Sequence, residues 1–288
     1  MSITTSPLPD HLAKPSEIGE EISVTGKWSP LSASGMFGMS EDSMEMQRLW
    51  QSIQSRAEDD ESVLSASINQ GVGHDAILIH QVFKDSESLI RFYSSVIVSE
   101  LNDLQKVAKP ELHLARGISG SRQIVDVFQR QEIPHALGNH IYSYVKEAHK
   151  QPDPATAIQV TAKWTCKPGD SENMTALKHW WQLVGTDAYS MEEGLLRFEV
   201  FEVAGEDALV IHETFSDTKE LLFHLSKGTA EKYKKDIDQV AVPENYYFRG
   251  PVSWIIRTYS KFMRLPATYS NGGSFYTRPG GSMSDGLS

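Results

Sequence analysis

The sequence contains one cysteine, Cys166, in 288 residues. A single thiol excludes an intrachain disulfide framework and any thiolate-based metal cluster, and a reducing compartment is the simplest setting. No stretch of about 18 uninterrupted apolar residues occurs, which argues against an ordinary membrane-spanning helix. The first residues, "MSITTSPLPDHLAKPSEIGEE", mix prolines with acids and lack the apolar run of a secretory signal. Positive charge is also scarce: 27 Lys and Arg against 38 Asp and Glu leave a formal charge of −11. Such a field disfavours nucleic acid and anionic membrane surfaces as partners. A cytoplasmic protein with a small hydrophobic partner molecule is the expectation, and residues 1–21 read as a flexible leader. What remains is ordinary for a globular chain, with 40% apolar and 23% charged residues, long enough for one large domain or two of usual size.

The strongest internal signal is self-similarity. "AILIHQVFKD" at 76–85 recurs as "ALVIHETFSD" at 208–217 (208 − 76 = 132). "ISVTGKW" at 22–28 pairs with "IQVTAKW" at 158–164, "WQSI" at 50–53 with "WQLV" at 181–184, and "KPELHLARG" at 109–117 with "VPENYYFRG" at 242–250. The order is kept, and the change in offset falls on "SPLSASGMFGMS", a loop composition in which insertions are tolerated. Two repeats are expected at 22–120 and 156–254. Between them, 121–155 reads as a helical connector. Its apolar positions Ile124, Val127 and Phe128, then Ile141, Tyr144 and Val145, suggest two short helices broken near Pro134 and Gly138. Residues 255–288 form a C-terminal extension whose Gly- and Ser-rich end is expected to be disordered.

Within the second repeat, "AIQVTAKWTC" alternates as a half-buried strand does, and "KPGDS" makes a turn. Asp170 or Ser171 then caps a helix that aligns Met174, Leu177, Trp181 and Val184. "GLLRFEVFEV" and "ALVIHETF" form a hairpin, and Asp217 opens a helix through Leu221, Leu222 and Leu225. "ENYYFRG" closes the unit. The order βαββαβ is ferredoxin-like, with an open sheet face that needs a partner. The expected fold is α+β, with two such repeats packed as an intramolecular pseudo-dimeric α/β barrel.

The run "VTAKWTCKPGDSENMTALKHWW…EEGLLRFEVFEV…ALVIHETFSDTKELLFHLSKGTAEKY" resembles the antibiotic biosynthesis monooxygenase family of the dimeric α/β barrel superfamily. Pro168-Gly169, Gly194, Glu213, Asp217 and His224 fit that family's pattern in turn. The resemblance covers most of 156–250 and extends more weakly over 22–117. It implies a cofactor-independent oxygenase, although related families include heme-degrading enzymes, isomerases and members without chemistry. The first repeat has Gln81 in place of Glu213 and Phe92 in place of His224, so a single site in the second repeat is expected.

Glu213 and His224 are the candidate catalytic residues. Burial raises a carboxyl's pKa toward a value useful for proton transfer, which suits Glu213 to act as a base; an ion pair is the alternative. His224 would polarise a substrate oxygen, or ligate a heme iron in the alternative reading. His80 and His212 are equivalent in the two repeats and read as structural. Trp180, which has only Leu49 opposite it, is the candidate to stack on a flat substrate, with core packing the alternative. Phe198, Tyr259 and Tyr269 are further candidate contacts, and the segment around Tyr259 reads as a structural extension across the barrel end, with a lid as the alternative. The Trp28/Trp164 and Trp50/Trp181 pairs read as core. Thr161 and Lys163 stand where the family often carries an Asn. His135 and His140, five apart, lack helical metal-pair spacing, so no metal is expected, and the resemblance implies no cofactor. Two functions remain: an oxygenase or related proton-transfer enzyme acting on a phenolic or polyketide-like molecule, or a non-catalytic barrel that holds heme or another hydrophobic ligand. A further homodimeric association is left open.

Overall fold

The computed structural model describes residues 20–32, 39–71, 75–117, 122–146, 153, 156–170, 172–270 and 274–277. Nearly all of the expected leader and the Gly- and Ser-rich end lie outside them. The fold is α+β, and the chain divides into two compact units, built on Glu20–Gly138 and Asn139–Tyr269.

The N-terminal unit opens with strand β1 (Ile22–Pro30) and helix α1 (Glu41–Asp59), followed by the antiparallel pair β2 (Val63–Gln70) and β3 (Ile77–Phe83). Helix α2 (Ser86–Arg91) continues through a π-helical turn at Phe92–Val96 into α3 (Val98–Val107). Strands β4 (Ala108–Pro110) and β5 (His113–Arg116) both pair with β1. Helix α4 (Arg122–Arg130) then leads into β6 (His135–Val145), whose first four residues pair in parallel with β5. Local chemistry explains the starts: Ser40 and Asp85 accept the Ser43 and Ser88 N–H groups at the ends of α1 and α2, where free donors need partners.

The C-terminal unit repeats this order. It contains β7 (Ile158–Cys166), α5 (Asn173–Met191), the hairpin β8 (Leu195–Val203) and β9 (Ala208–Phe215), helices α6 (Thr218–Ser226) and α7 (Thr229–Val240), and β10 (Ala241–Arg249). Helix α8 (Trp254–Phe262) and strand β11 (Ala267–Tyr269) follow. Across this unit the sheet runs β11-β10-β7-β9-β8-β6, and β11 lies parallel to β10. Strand β12 (Ser274–Thr277) returns to pair with β2 of the N-terminal unit. Equivalent threonine–histidine contacts hold equivalent strands: Thr25 Oγ1 meets His80 Nδ1 at 2.8 Å, and Thr161 Oγ1 meets His212 Nδ1 at 2.9 Å. The tryptophan pairs recur as well, Trp28–Trp50 at 5.9 Å and Trp164–Trp181 at 5.6 Å between ring centroids, both edge-on.

Expectations are corrected at β6 and at α5. The second half of the supposed helical connector is strand β6: Tyr142 and Tyr144 are buried two apart, and a β-branched and aromatic run favours the extended chain. Its i, i+3 and i, i+4 matches also fitted a helix because Ile141, Tyr142, Tyr144 and Val145 fill four of the five positions 141–145. After β10, α8 and β11 stand at a constant offset from α4 and β6 (254 − 122 = 132; 267 − 135 = 132). At α5, Asp170 takes the Glu172 N–H from two residues before the helix boundary instead of occupying the cap itself. Among the described residues no helix is long and apolar enough to cross a membrane.

Candidate active site

Strand β9 is buried along its whole length, so every polar group on it needs a partner or a purpose. Alternation sends His212 toward Thr161 and Glu213 to the opposite face, toward α6. Asp217 starts α6 by accepting the Lys219 and Glu220 N–H groups, and two turns later His224 faces the sheet, fully buried. The ring meets a carboxylate on each side. Nδ1 lies 2.7 Å from Glu192 Oε2, and Nε2 lies 3.1 Å from Glu213 Oε1.

Glu192 stands at the C-terminal end of α5. Its second oxygen accepts from the Thr229 N–H at 2.6 Å and the Thr229 hydroxyl at 2.7 Å, at the start of α7. Gly228 makes this approach feasible, because a Cβ there would come within 2.5 Å of Glu192 Oε1 and 2.8 Å of His224 Cα. Burial opposes charge on His224, but the Glu213 and Glu192 carboxylates outweigh it and push its pKa up to about 10. Burial likewise opposes charge on Glu192, yet His224 and Thr229 hold its carboxyl below the ordinary value. His224 is therefore an imidazolium clamped between two carboxylates. Glu192 is saturated with hydrogen bonds, whereas Glu213 Oε1 has none: the His224 contact is within ion-pair range but off the N–H axis.

Glu213 and His224 line a cavity of about 50 Å³ together with Trp164, Trp181 and Tyr246 and, from the α8 segment, Tyr259, Met263 and Leu265. The Tyr259 hydroxyl donates to the Leu225 carbonyl at 2.6 Å and ties α8 to α6. Burial, with Glu213 nearby, raises the Tyr246 pKa well above that of an ordinary phenol. The space takes one or two water-sized molecules (~30 Å³ each) and is far smaller than usual ligand pockets of roughly 300–1,000 Å³.

The structure brings together Glu213, His224 and Tyr259 and leaves three expected contacts outside. Trp180 is displaced because neighbouring helix positions point about 100° apart: it packs between His179 and Tyr233, while Trp181 reaches the cavity. Phe198 is buried against Trp181, Tyr142 and Tyr144, and is not part of the lining. Tyr269 stacks on Phe248 at 5.3 Å, one layer behind the lining residue Tyr246. Lys163, at the family's Asn position, pairs with Glu206 and Glu244 away from the cavity. His135 Nδ1 bonds the Ile133 carbonyl oxygen, and His140 lies 3.9 Å from Glu199. Glu192 was not foreseen. Its signal was available as the match to Asp60 (192 − 60 = 132), both at the end of a unit's first long helix.

No family model matches the chain, and no curated protein matches it in sequence. Among solved structures it is similar to a candidate monooxygenase from Fusobacterium nucleatum, at 11% identity and TM-score 0.51, over 91% of this chain and 99% of that one. A candidate monooxygenase from Lactobacillus acidophilus (10% identity, 78% of this chain and 91% of that one, TM-score 0.47) is also similar. So is an anthrone oxidase-like protein (10%, 82% and 92%, TM-score 0.48). The likeness to the Fusobacterium protein is one of fold, and it runs over nearly the full length of both chains.

Proposed function

We propose that the C-terminal unit is the active half of a cofactor-independent monooxygenase, or a related proton-transfer enzyme, acting on a flat hydrophobic molecule of phenolic or polyketide-like character. The observation that carries this reading is Glu213, a buried carboxylate that lines a mainly apolar cavity 3.1 Å from the buried His224 ring, its Oε1 without an aligned hydrogen bond. Unsatisfied buried acceptors are costly and concentrate at functional sites. Glu213 takes a proton from the substrate, and the His224 imidazolium faces the negative charge as it moves from carboxylate to substrate oxygen. Glu192 and Thr229 hold the ring in place. The resulting electron-rich anion reacts directly with dioxygen: a ring methylene and O2 give a carbonyl and water, balanced without flavin or metal.

Heme does not fit His224. Both ring nitrogens face carboxylates and carry protons, so neither offers a lone pair to iron. Entry of an aromatic substrate requires α8 to swing away from the cavity and break the Tyr259–Leu225 hydrogen bond, which gives this helix the role of a lid. Trp181, Trp164 and Tyr246 then replace Trp180, Phe198 and Tyr269 as the aromatic contacts. The matching element order supports two antibiotic biosynthesis monooxygenase-like repeats arising by duplication, with the first repeat's site degenerate. The small cavity favours a second reading, a non-catalytic barrel that holds a hydrophobic ligand.

Dioxygen uptake with a panel of electron-rich phenols separates the two readings. The enzyme reading expects turnover that falls by about 10²–10⁴-fold in Glu213→Gln, the usual span for loss of a general base. Full activity in both Glu213→Gln and His224→Ala overturns the assigned roles, and ligand binding with no uptake by the native protein supports the second reading.

A further inference from the structure

Helix α8 has two faces. Ile256 and Ser260 are buried, and Tyr259 lines the cavity. On the outside Trp254 is 67%, Ile255 41% and Phe262 81% exposed. At 100° per residue, Trp254, Ile255, Thr258 and Phe262 fall within one stripe, and Lys261 borders it. Nothing in the fold demands this. The equivalent helix α4 buries the matching positions, Ile124, Val127 and Phe128, yet at the matching outer positions it carries Arg122, Gln123, Asp126 and Arg130. One helix has a solvated face, and its counterpart displays two large aromatics and an isoleucine.

Charge points to the occupant. The chain carries a formal −11, but residues 251–264, "PVSWIIRTYSKFMR", contain Arg257, Lys261 and Arg264 and no acid. Exposed Trp and Phe flanked by Lys and Arg match the acyl boundary and headgroups of an anionic bilayer. A second copy of this acidic chain would meet the apolar stripe but leave those cations less well matched.

We propose that α8 is an interfacial helix that docks the protein on an anionic lipid surface through Trp254, Ile255 and Phe262, with Lys261 and Arg264 against the headgroups. The helix that covers the cavity then faces the phase in which apolar molecules concentrate.

The test is flotation of the full-length protein with vesicles of phosphatidylcholine alone or with about one-third phosphatidylserine, at low and high salt. Binding to the anionic vesicles is expected, weakened by salt and absent on neutral ones. Phe262→Ser and Trp254→Ser each reduce it on the order of tenfold, and Lys261→Glu with Arg264→Glu removes the preference for anionic lipid. All four positions are exposed, so unfolding temperature should stay unchanged and report that the variants are folded. Native protein that ignores anionic vesicles overturns the proposal. So does native protein that ignores them but self-associates in size-exclusion chromatography through Phe262, since the stripe then serves a second copy.

Discussion

Where the N-terminal unit has Phe128, the C-terminal unit has Ser260, one position from the cavity-lining Tyr259 (260 − 128 = 132). The Phe128 ring packs against Tyr93 at 5.3 Å and His113 at 6.4 Å, filling the space between α4 and the sheet. Ser260 turns its hydroxyl back to the Ile256 carbonyl and fills little. The surrounding changes are concerted. Gln81 accepts from the Tyr93 hydroxyl at 2.7 Å where Glu213 meets a cation, and Phe92 packs on Phe83 where His224 bridges two carboxylates. Asp60 pairs outward with Arg91 where Glu192 turns inward. At these positions one unit carries neutral, packed side chains and the other a charged triad beside a cavity. The backbone differs as well, since the N-terminal unit alone among the described residues has the π-helical turn at Phe92–Val96.

Exchanging those side chains tests the contrast. The largest effect is expected for His224→Phe, which gives the C-terminal unit the residue of its counterpart but strands two buried carboxylates. A loss of about 3–5 kcal/mol in urea unfolding is expected, with recovery of part of it when Glu213→Gln and Glu192→Gln are added. A loss below 1 kcal/mol would show that the triad is hydrated and screened. Phe128→Ser should cost a similar ~3–5 kcal/mol by opening a hollow in a core without polar partners. Ser260→Phe runs the other way, forcing a ring into a buried position next to the lining residue Tyr259 at a packing cost of about 1–3 kcal/mol; a fall in any turnover or ligand binding is expected. Activity that survives it would move the site elsewhere. The smallest effect belongs to Tyr259→Phe, which removes the α8–α6 hydrogen bond for about 0.5–1.5 kcal/mol; substrate entry should become faster, seen as a lower KM.

Much of this contrast could be read from the sequence. Strand alternation placed Glu213 and His212 on opposite faces, and comparison of the two copies pointed to Glu213 and His224. Glu192 escaped because its role depends on where a helix ends, to within one residue, and on Gly228 clearing space on a different helix. Helical phase sets Trp181 with Leu177 and Val184 on the inward face; Trp180 stands out only because Leu49 is opposite it, and the lack of a matching ring carries no direction. The α4–β6 and α8–β11 segments went unmatched because their buried sides differ in size and their exposed sides share no chemistry. "IPHA" at 133–136 and "LPAT" at 265–268 were the surviving trace (265 − 133 = 132).

The account stands on His224 being a cation between two carboxylates. Its folded pKa is raised from 6.5 to about 10, so its contribution to stability is complete below about pH 6.5 and is lost as pH rises through 10. Nitrogen-15 NMR of the imidazole ring reads this directly. Both His224 nitrogens should remain protonated from neutral pH to about 10, and Glu213→Gln should bring the midpoint down. A ring that titrates near 6.5 in the native protein would contradict the charged triad and the active-site reading built on it.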